Sequence, residues 1–206
     1  FVTGISCMDV AVSGDYGYVA DKTNGIHVIN ISDPGNPVLI NTYATGGEAQ
    51  SIIVESGYAY IADGKNNLHI ASLADPEVLD FYSPYVIDDQ YIAFDLVLQD
   101  EKIYLAMGKM GLQVINVSTP STPLLIHSVD TPGTATGIAL SGSYAYIADN
   151  DEGLHIININ PVLSSPELIA TYKITGNALG CAADGEFAYI AYEQEGVHII
   201  HTTAPA

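Results

Sequence analysis

The 206-residue chain has no arginine and no tryptophan, and its five lysines stand against 24 acidic residues for a formal net charge of −19. Proteins that hold nucleic acid use clustered Lys and Arg to displace counterions from phosphate. A chain this acidic repels phosphate backbones and anionic lipid headgroups alike, so neither is expected as a partner. No run of 18 apolar residues occurs, and no membrane insertion is expected. Phe1 opens the chain without a basic and then apolar leader, which reads as a mature product or an excised piece. The two cysteines, Cys7 and Cys181, are too few for a disulfide framework and lack the paired spacing of zinc or redox sites. There is no Ser nucleophile elbow, no cysteine with a neighbouring histidine and no phosphate-cradling glycine loop, so no catalytic residue and no enzymatic activity are expected.

What the chain does have is repetition. A tyrosine opens the phrases Tyr18-Val19-Ala20-Asp21, Tyr60-Ile61-Ala62-Asp63, Tyr104-Leu105-Ala106-Met107, Tyr146-Ile147-Ala148-Asp149 and Tyr189-Ile190-Ala191-Tyr192, at intervals of 42, 44, 42 and 43 residues. Each unit holds four apolar or alternating stretches separated by Gly, Asn, Asp and Pro, the signature of short strands and turns. In the first unit these are strand a (Met8 to Val12), b (Tyr16 to Ala20), c (Gly25 to Asn30) and d (Val38 to Tyr43). The turn from b to c ends on Gly25, Asn67, Gly111, Gly153 or Gly196, residue types that accept positive φ. Prolines such as Pro34, Pro37, Pro76, Pro120 and Pro123 confine the c to d connection to loops. Strand a begins beside Cys7, Ala49, Ala93, Ala135 or Ala178, read here as relief of crowding around a central axis.

A strand-built repeat of about 43 residues is a propeller blade. The expected fold is all-β, a single five-bladed β-propeller over residues 1–206 with four-stranded blades at 5–46, 47–90, 91–132, 133–175 and 176–206 plus 1–4. The last blade lacks a strand d of its own, and Phe1-Val2-Thr3-Gly4 is expected to complete it. Cys7 and Cys181 then lie on neighbouring blades with registers three residues apart, about 10 Å along a strand, whereas a disulfide needs Cα atoms within about 7 Å. Two thiols are expected.

These residues resemble the LVIVD-repeat family, which pairs a Tyr-Val-Ala-Asp strand with a Gly-Leu-Val-Ile-Val-Asp strand and an Asp-Pro-x-x-Pro turn. The resemblance runs through all five units. It implies a secreted or cell-surface β-propeller with no established reaction. At the end of strand c the family's Asp is replaced by Asn30, Ser72, Asn116, Asn158 and His201.

Histidine recurs at one position of strand c as His27, His69, His155 and His198, with Gln113 in the third unit. Equivalent positions on different blades are too far apart to share an ion, so the expected role is a repeated structural hydrogen bond between blades, the alternative being repeated ligand contacts. No metal site and no cofactor is expected. Asp21, Asp63, Asp149 and Asp151 keep calcium open, although Asp is also a turn former. Asn30-Ile31-Ser32 and Asn116-Val117-Ser118 are glycosylation sequons that also suit turns. Tyr16, Tyr58, Tyr82, Tyr85, Tyr144 and Tyr192 are read as exposed aromatics. The functional expectation is a non-catalytic extracellular or cell-surface interaction module with a protein partner or self-assembly, the alternative being a lectin-like module with equivalent inter-blade sites for glycans.

Overall fold

The computed structural model describes residues 6–160, 165–173 and 175–202. They form 19 strands in five antiparallel sheets, each a meander in which chain neighbours pair. Sheet one comprises β1 (Cys7–Ser13), β2 (Tyr16–Asp21), β3 (Gly25–Asn30) and β4 (Val38–Tyr43). Sheet two comprises β5 (Ser51–Glu55), β6 (Tyr58–Ala62), β7 (Leu68–Asp75) and β8 (Val78–Phe81). Sheet three holds β9 (Asp95–Gln99), β10 (Lys102–Ala106), β11 (Leu112–Asn116) and β12 (Leu124–Val129). Sheet four holds β13 (Gly137–Ser141), β14 (Tyr144–Ala148), β15 (Leu154–Asn158) and β16 (Glu167–Tyr172). Sheet five has β17 (Ala178–Ala183), β18 (Phe187–Tyr192) and β19 (Gly196–His201), and the residues expected to supply its fourth strand, Phe1 to Gly4, lie outside the described ones.

The chain divides into two compact units, Phe1–Leu96 with Ser118–Pro123, and Val97–Val117 with Leu124–Ala206. In the first, sheet one packs on sheet two through Tyr18, Ala20, Ile26 and Val28 against Ala49, Ile52 and Ile61. In the second, Tyr104, Ala106, Leu112 and Val114 of sheet three meet Ala135, Ile138 and Ile147. Tyr146, Ala148, Leu154 and Ile156 of sheet four likewise meet Ala178, Ala188 and Ile190. One recipe serves all three contacts. A Tyr and an Ala from strand b and two aliphatics from strand c cover the strand a and strand b face of the next sheet, removing both from water.

The b to c turn carries the positive φ expected of it, at Gly25, Asn67, Gly111, Gly153 and Gly196. Gly25 also has no room for a side chain, because a Cβ there would lie 2.1 Å from the Tyr43 carbonyl oxygen. Three of the small residues beside strand a, Ala93, Ala135 and Ala178, take part in backbone bridges to the b to c turn. Ala135 exchanges backbone hydrogen bonds with Gly108 at 3.0 and 3.1 Å, and Ala178 with Asn150 at 2.9 and 3.2 Å. Ala93 bridges Gly64 in the same way.

Strand d carries a bulge at one repeated place. The pairing skips Ile40 between Val28 and Ile29, Ile126 between Val114 and Ile115, and Ile169 between Ile156 and Ile157. An extra residue re-aims the side chains that follow it. After the bulge Thr42 stands opposite His27, Ser128 opposite Gln113 and Thr171 opposite His155.

Candidate functional site

Two of the strand c imidazoles, His27 and His155, sit inside a carboxylate, imidazole and hydroxyl relay that forms within one sheet, whereas the expected bond lies between blades. Strand b ends on Asp21 or Asp149, both fully buried, and strand c brings the imidazole alongside. His155 Nε2 lies 2.8 Å from Asp149 Oδ2, and its Nδ1 lies 2.8 Å from Thr171 Oγ1. In sheet one the same distances are 3.2 Å from His27 Nε2 to Asp21 Oδ2 and 2.8 Å from Nδ1 to Thr42 Oγ1. With Nε2–H donating to the carboxylate, Nδ1 accepts from the threonine hydroxyl.

The other carboxylate positions are also filled. Asp21 Oδ1 accepts from Thr23 N, Thr23 Oγ1 and Asn24 N at 3.0–3.2 Å, and Asn24 Nδ2 donates to Oδ2 at 3.1 Å. Burial pushes the Asp21 carboxyl up, but hydrogen bonds from Asn24, Thr23 and His27 outweigh it and hold the group well below the usual carboxylate range. Asp149 instead reaches back to the preceding linker, where Thr131 Oγ1 donates at 2.9 Å and Gly133 N at 2.8 Å. Asp63 accepts from Thr45 Oγ1 at 2.6 Å and from Asn66 Nδ2 at 2.9 Å. Gly47 and Gly133 are held to glycine by these buried aspartates, since a Cβ would come within 2.3 Å of Asp63 O and 2.5 Å of Asp149 O.

The three remaining units depart from the relay, each for a visible reason. In sheet two the short β8 offers no threonine opposite His69, whose Nε2 donates to the Tyr82 carbonyl at 2.9 Å while Nδ1 stays 3.6 Å from Asp63 Oδ2. There Asn67 stands where the other units have glycine. Its Oδ1 accepts from Ile87 N and Asp88 N, and its Nδ2 reaches the Asp88 and Tyr91 carbonyls. In sheet three Met107 replaces the aspartate and Gln113 the histidine, and Gln113 Nε2 donates to the Met110 carbonyl at 2.6 Å. In sheet five Tyr192 replaces the aspartate and its ring packs against His198 at 4.9 Å.

Hydroxyl, imidazole and carboxylate in line have the connectivity of an acyl-transfer triad. Thr42 and Thr171 are exposed residues on strand d. A triad also needs a pocket for the substrate and donors for the oxyanion beside its hydroxyl. Two clefts are lined by other residues, one of about 370 Å³ by residues such as Lys102, Tyr104, His127 and Asn160, the other of about 310 Å³ by residues such as Glu48, Lys65 and Ile92.

Among the described residues no three His, Cys, Asp or Glu side chains are placed to hold a metal ion. Asp151 is exposed on the turn, apart from the buried Asp149. Asn30 Oδ1 accepts from Ser32 N at 3.0 Å and Ser32 Oγ at 2.7 Å, and Asn158 Oδ1 accepts from Asn160 N at 3.0 Å. These amides shape the turn after strand c, and Asn116 is half-buried at the equivalent place. The tyrosines read as exposed are not. Tyr192 is buried, and Tyr16, Tyr58, Tyr82, Tyr85 and Tyr144 are half-buried. Tyr16 donates to Glu77 Oε1 at 3.0 Å, and Tyr58 packs on Tyr60 and Tyr82 at ring distances of 6.4 and 6.5 Å. Both cysteines are thiols.

Sequence reading missed the linker pair Thr45 and Gly47, its counterpart Thr131 and Gly133, and the strand d partners Thr42 and Thr171. The linker signal is present as Thr-x-Gly in Thr45-Gly46-Gly47 and Thr131-Pro132-Gly133. Another signal is that the unit that lacks the aspartate at Met107 also lacks the histidine at Gln113.

The LVIVD repeat model matches residues 4–45, 46–76, 92–131, 132–174 and 175–205. The stretch it passes over, 77–91, includes β8 and the backbone that Asn67 holds. A search of curated proteins returned no match. Among solved structures, the Myceliophteria thermophila Cps50 (Swd1) β-propeller domain is similar with a TM-score of 0.73 at 12% identity over 93% of this chain and 68% of that one. The RRP9 WD40 repeats give 0.73 at 11% identity over 95% and 67%, and the computationally designed Ika8 protein 0.61 at 9% over 98% and 72%. At such identities the likeness shows the fold alone. Five repeat matches along the sequence and five antiparallel meanders establish that the chain belongs to the LVIVD repeat family and has a five-bladed β-propeller fold.

Proposed function

We propose that this protein is a non-catalytic interaction module that binds another protein through its blade faces and loops. The observation that carries this reading is the fate of the repeated polar groups. Asp21, Asp63, Asp149, His27 and His155 are buried and spend their hydrogen bonds on turns, linkers and strand d, which stiffens the sheets that carry them. An extracellular or cell-surface setting belongs to the same reading and rests on the family resemblance. The test is a fluorophosphonate probe followed by peptide mass spectrometry. No modification of Thr42 or Thr171 is expected, and labelling of either hydroxyl that disappears in His27→Ala or His155→Ala would replace the reading with a hydrolase.

A carbohydrate-binding reading is favoured by the cleft of about 370 Å³, whose lining mixes Gln99, Lys102, His127, Ser143 and Asn160 with Tyr104. At the equivalent place between sheets one and two, the Pro76–Glu77 turn takes hydrogen bonds from Tyr16, Tyr18 and Tyr43. A glycan array separates the readings: one saturable glycan site per chain, lost in Lys102→Ala, supports the second.

A further inference from the structure

Sheet three breaks the repeat beside the cleft of about 370 Å³, all of whose lining lies in the second compact unit. Strand b opens on an aromatic residue in the other four units, Tyr16, Tyr58, Tyr144 and Phe187, and on Lys102 in this one. In sheet one the corresponding Tyr16 reaches across to Glu77 Oε1 at 3.0 Å. Lys102 brings no ring to that place, and its charge is not spent within the protein. Its Nζ donates to the Asp100 carbonyl at 3.4 Å and makes no ion pair among the described residues, whereas Lys22 and Lys173 are paired with Glu48 and Glu152.

Two further lining groups are unspent. His127, half-buried on β12, stands where the first and fourth units have Asn41 and Ala170, and its imidazole makes no hydrogen bond among the described residues. Tyr104 is 6% exposed, and its hydroxyl also lacks a partner among them. A hydroxyl this deeply placed normally has one. Burial, and then the Asp100 carboxylate, push this phenol above its ordinary value, so it meets a ligand as a neutral donor. The turn ahead of Lys102 holds φ of 51° and 57° at Asp100 and Glu101 without a glycine, whereas each of the other four turns has one, at Gly14, Gly57, Gly142 or Gly185. Left-handed backbone at residues with a Cβ is costly and gathers at ligand sites.

We infer that this cleft binds a carboxylated sugar, with its acid group on Lys102 and His127 and its hydroxyls on Gln99, Ser143, Asn160 and Tyr104. This deepens the carbohydrate-binding reading and rests on it. The volume lies at the small-molecule end of ligand pockets. Neutral polar groups suit ring hydroxyls, but a neutral sugar would leave the ammonium beside them without a counter-charge. The Asp100 carboxylate also borders the cleft, yet it is exposed and leaves Lys102 unpaired. A carboxylate carries the single charge that Lys102 balances, whereas a phosphate dianion would be opposed by Asp100 and by the net charge of −19.

The test is an NMR titration of the whole protein with methyl glucuronide and methyl glucoside, which differ only in a carboxylate or a hydroxymethyl group on the ring. The glucuronide should occupy one site per chain at least about tenfold more tightly than the glucoside, as expected of one charge-assisted hydrogen bond. Added salt should weaken it. Lys102→Met should make the two sugars equal. Lys102→Tyr, which installs the aromatic of the other units, should keep the circular dichroism spectrum of the wild type and lose both sugars. A glucuronide that binds the wild type no better than the glucoside, or that binds either variant as well as the wild type, would overturn the inference. The carbohydrate-binding reading itself falls only if the glycan array is blank as well.

Discussion

Asp149 is the residue on which sheet four's polar groups converge, since Thr131, Gly133 N and His155 all donate to it. Asp149→Met leaves three buried donors without an acceptor, and a cost of roughly 3–5 kcal/mol is expected, as for breaking a buried pair from one side. His155→Ala orphans fewer groups and should cost about 1–3 kcal/mol. Sheet three has already made both exchanges, with Met107 and Gln113. His155→Gln should therefore be less harmful in the Asp149→Met background than alone, a coupling that urea unfolding of the two singles and the double measures. Additive effects would show that the paired exchange in sheet three is coincidental. Asp21 gives a prediction in pH. Its folded pKa is depressed, so its contribution to stability is complete above the unfolded carboxylate value, about 4, and is lost as pH falls through the folded value. The urea midpoint should drop as pH is lowered from about 5 to about 2, and Asp21→Asn should flatten that slope. An unchanged slope would mean that other carboxylates control acid unfolding.

At the scale of the element, sequence reading recovered what local rules determine. Strands c and d of the first unit, Gly25 to Asn30 and Val38 to Tyr43, have the limits expected of them, because Gly and Pro punctuate both ends. What escaped depends on register. Thr42 and Thr171 face the histidines only because a bulge at Ile40 and Ile169 shifts the rest of strand d, and a bulge leaves no mark in a run of apolar residues. The expected histidine bond lies between blades, whereas His27 and His155 bond within their own sheets, since periodicity tells which residues are equivalent and not which are opposed. The linker glycines yield a clean test. Gly133→Ala would press a methyl against Asp149 O and its carboxylate, whereas a Cβ at Gly180 would meet nothing within 4 Å. Gly133→Ala should lower stability by about 1–3 kcal/mol and Gly180→Ala should come close to neutral, as thermal unfolding can show. Equal effects would mean that intrinsic glycine flexibility, and not the close approach, decides both.

At the scale of the whole molecule, a repeat protein's stability is a sum of sheet stabilities and the contacts between neighbouring sheets. Charge acts on all of these at once, because 24 acidic residues against five lysines give a net charge of −19 that repels itself in the compact state. Salt screens that repulsion. The melting temperature should therefore rise with added salt, as thermal unfolding at several ionic strengths measures. If it does not respond to salt, the acidic residues are too widely spaced to govern stability, and the five lysines suffice to balance them locally.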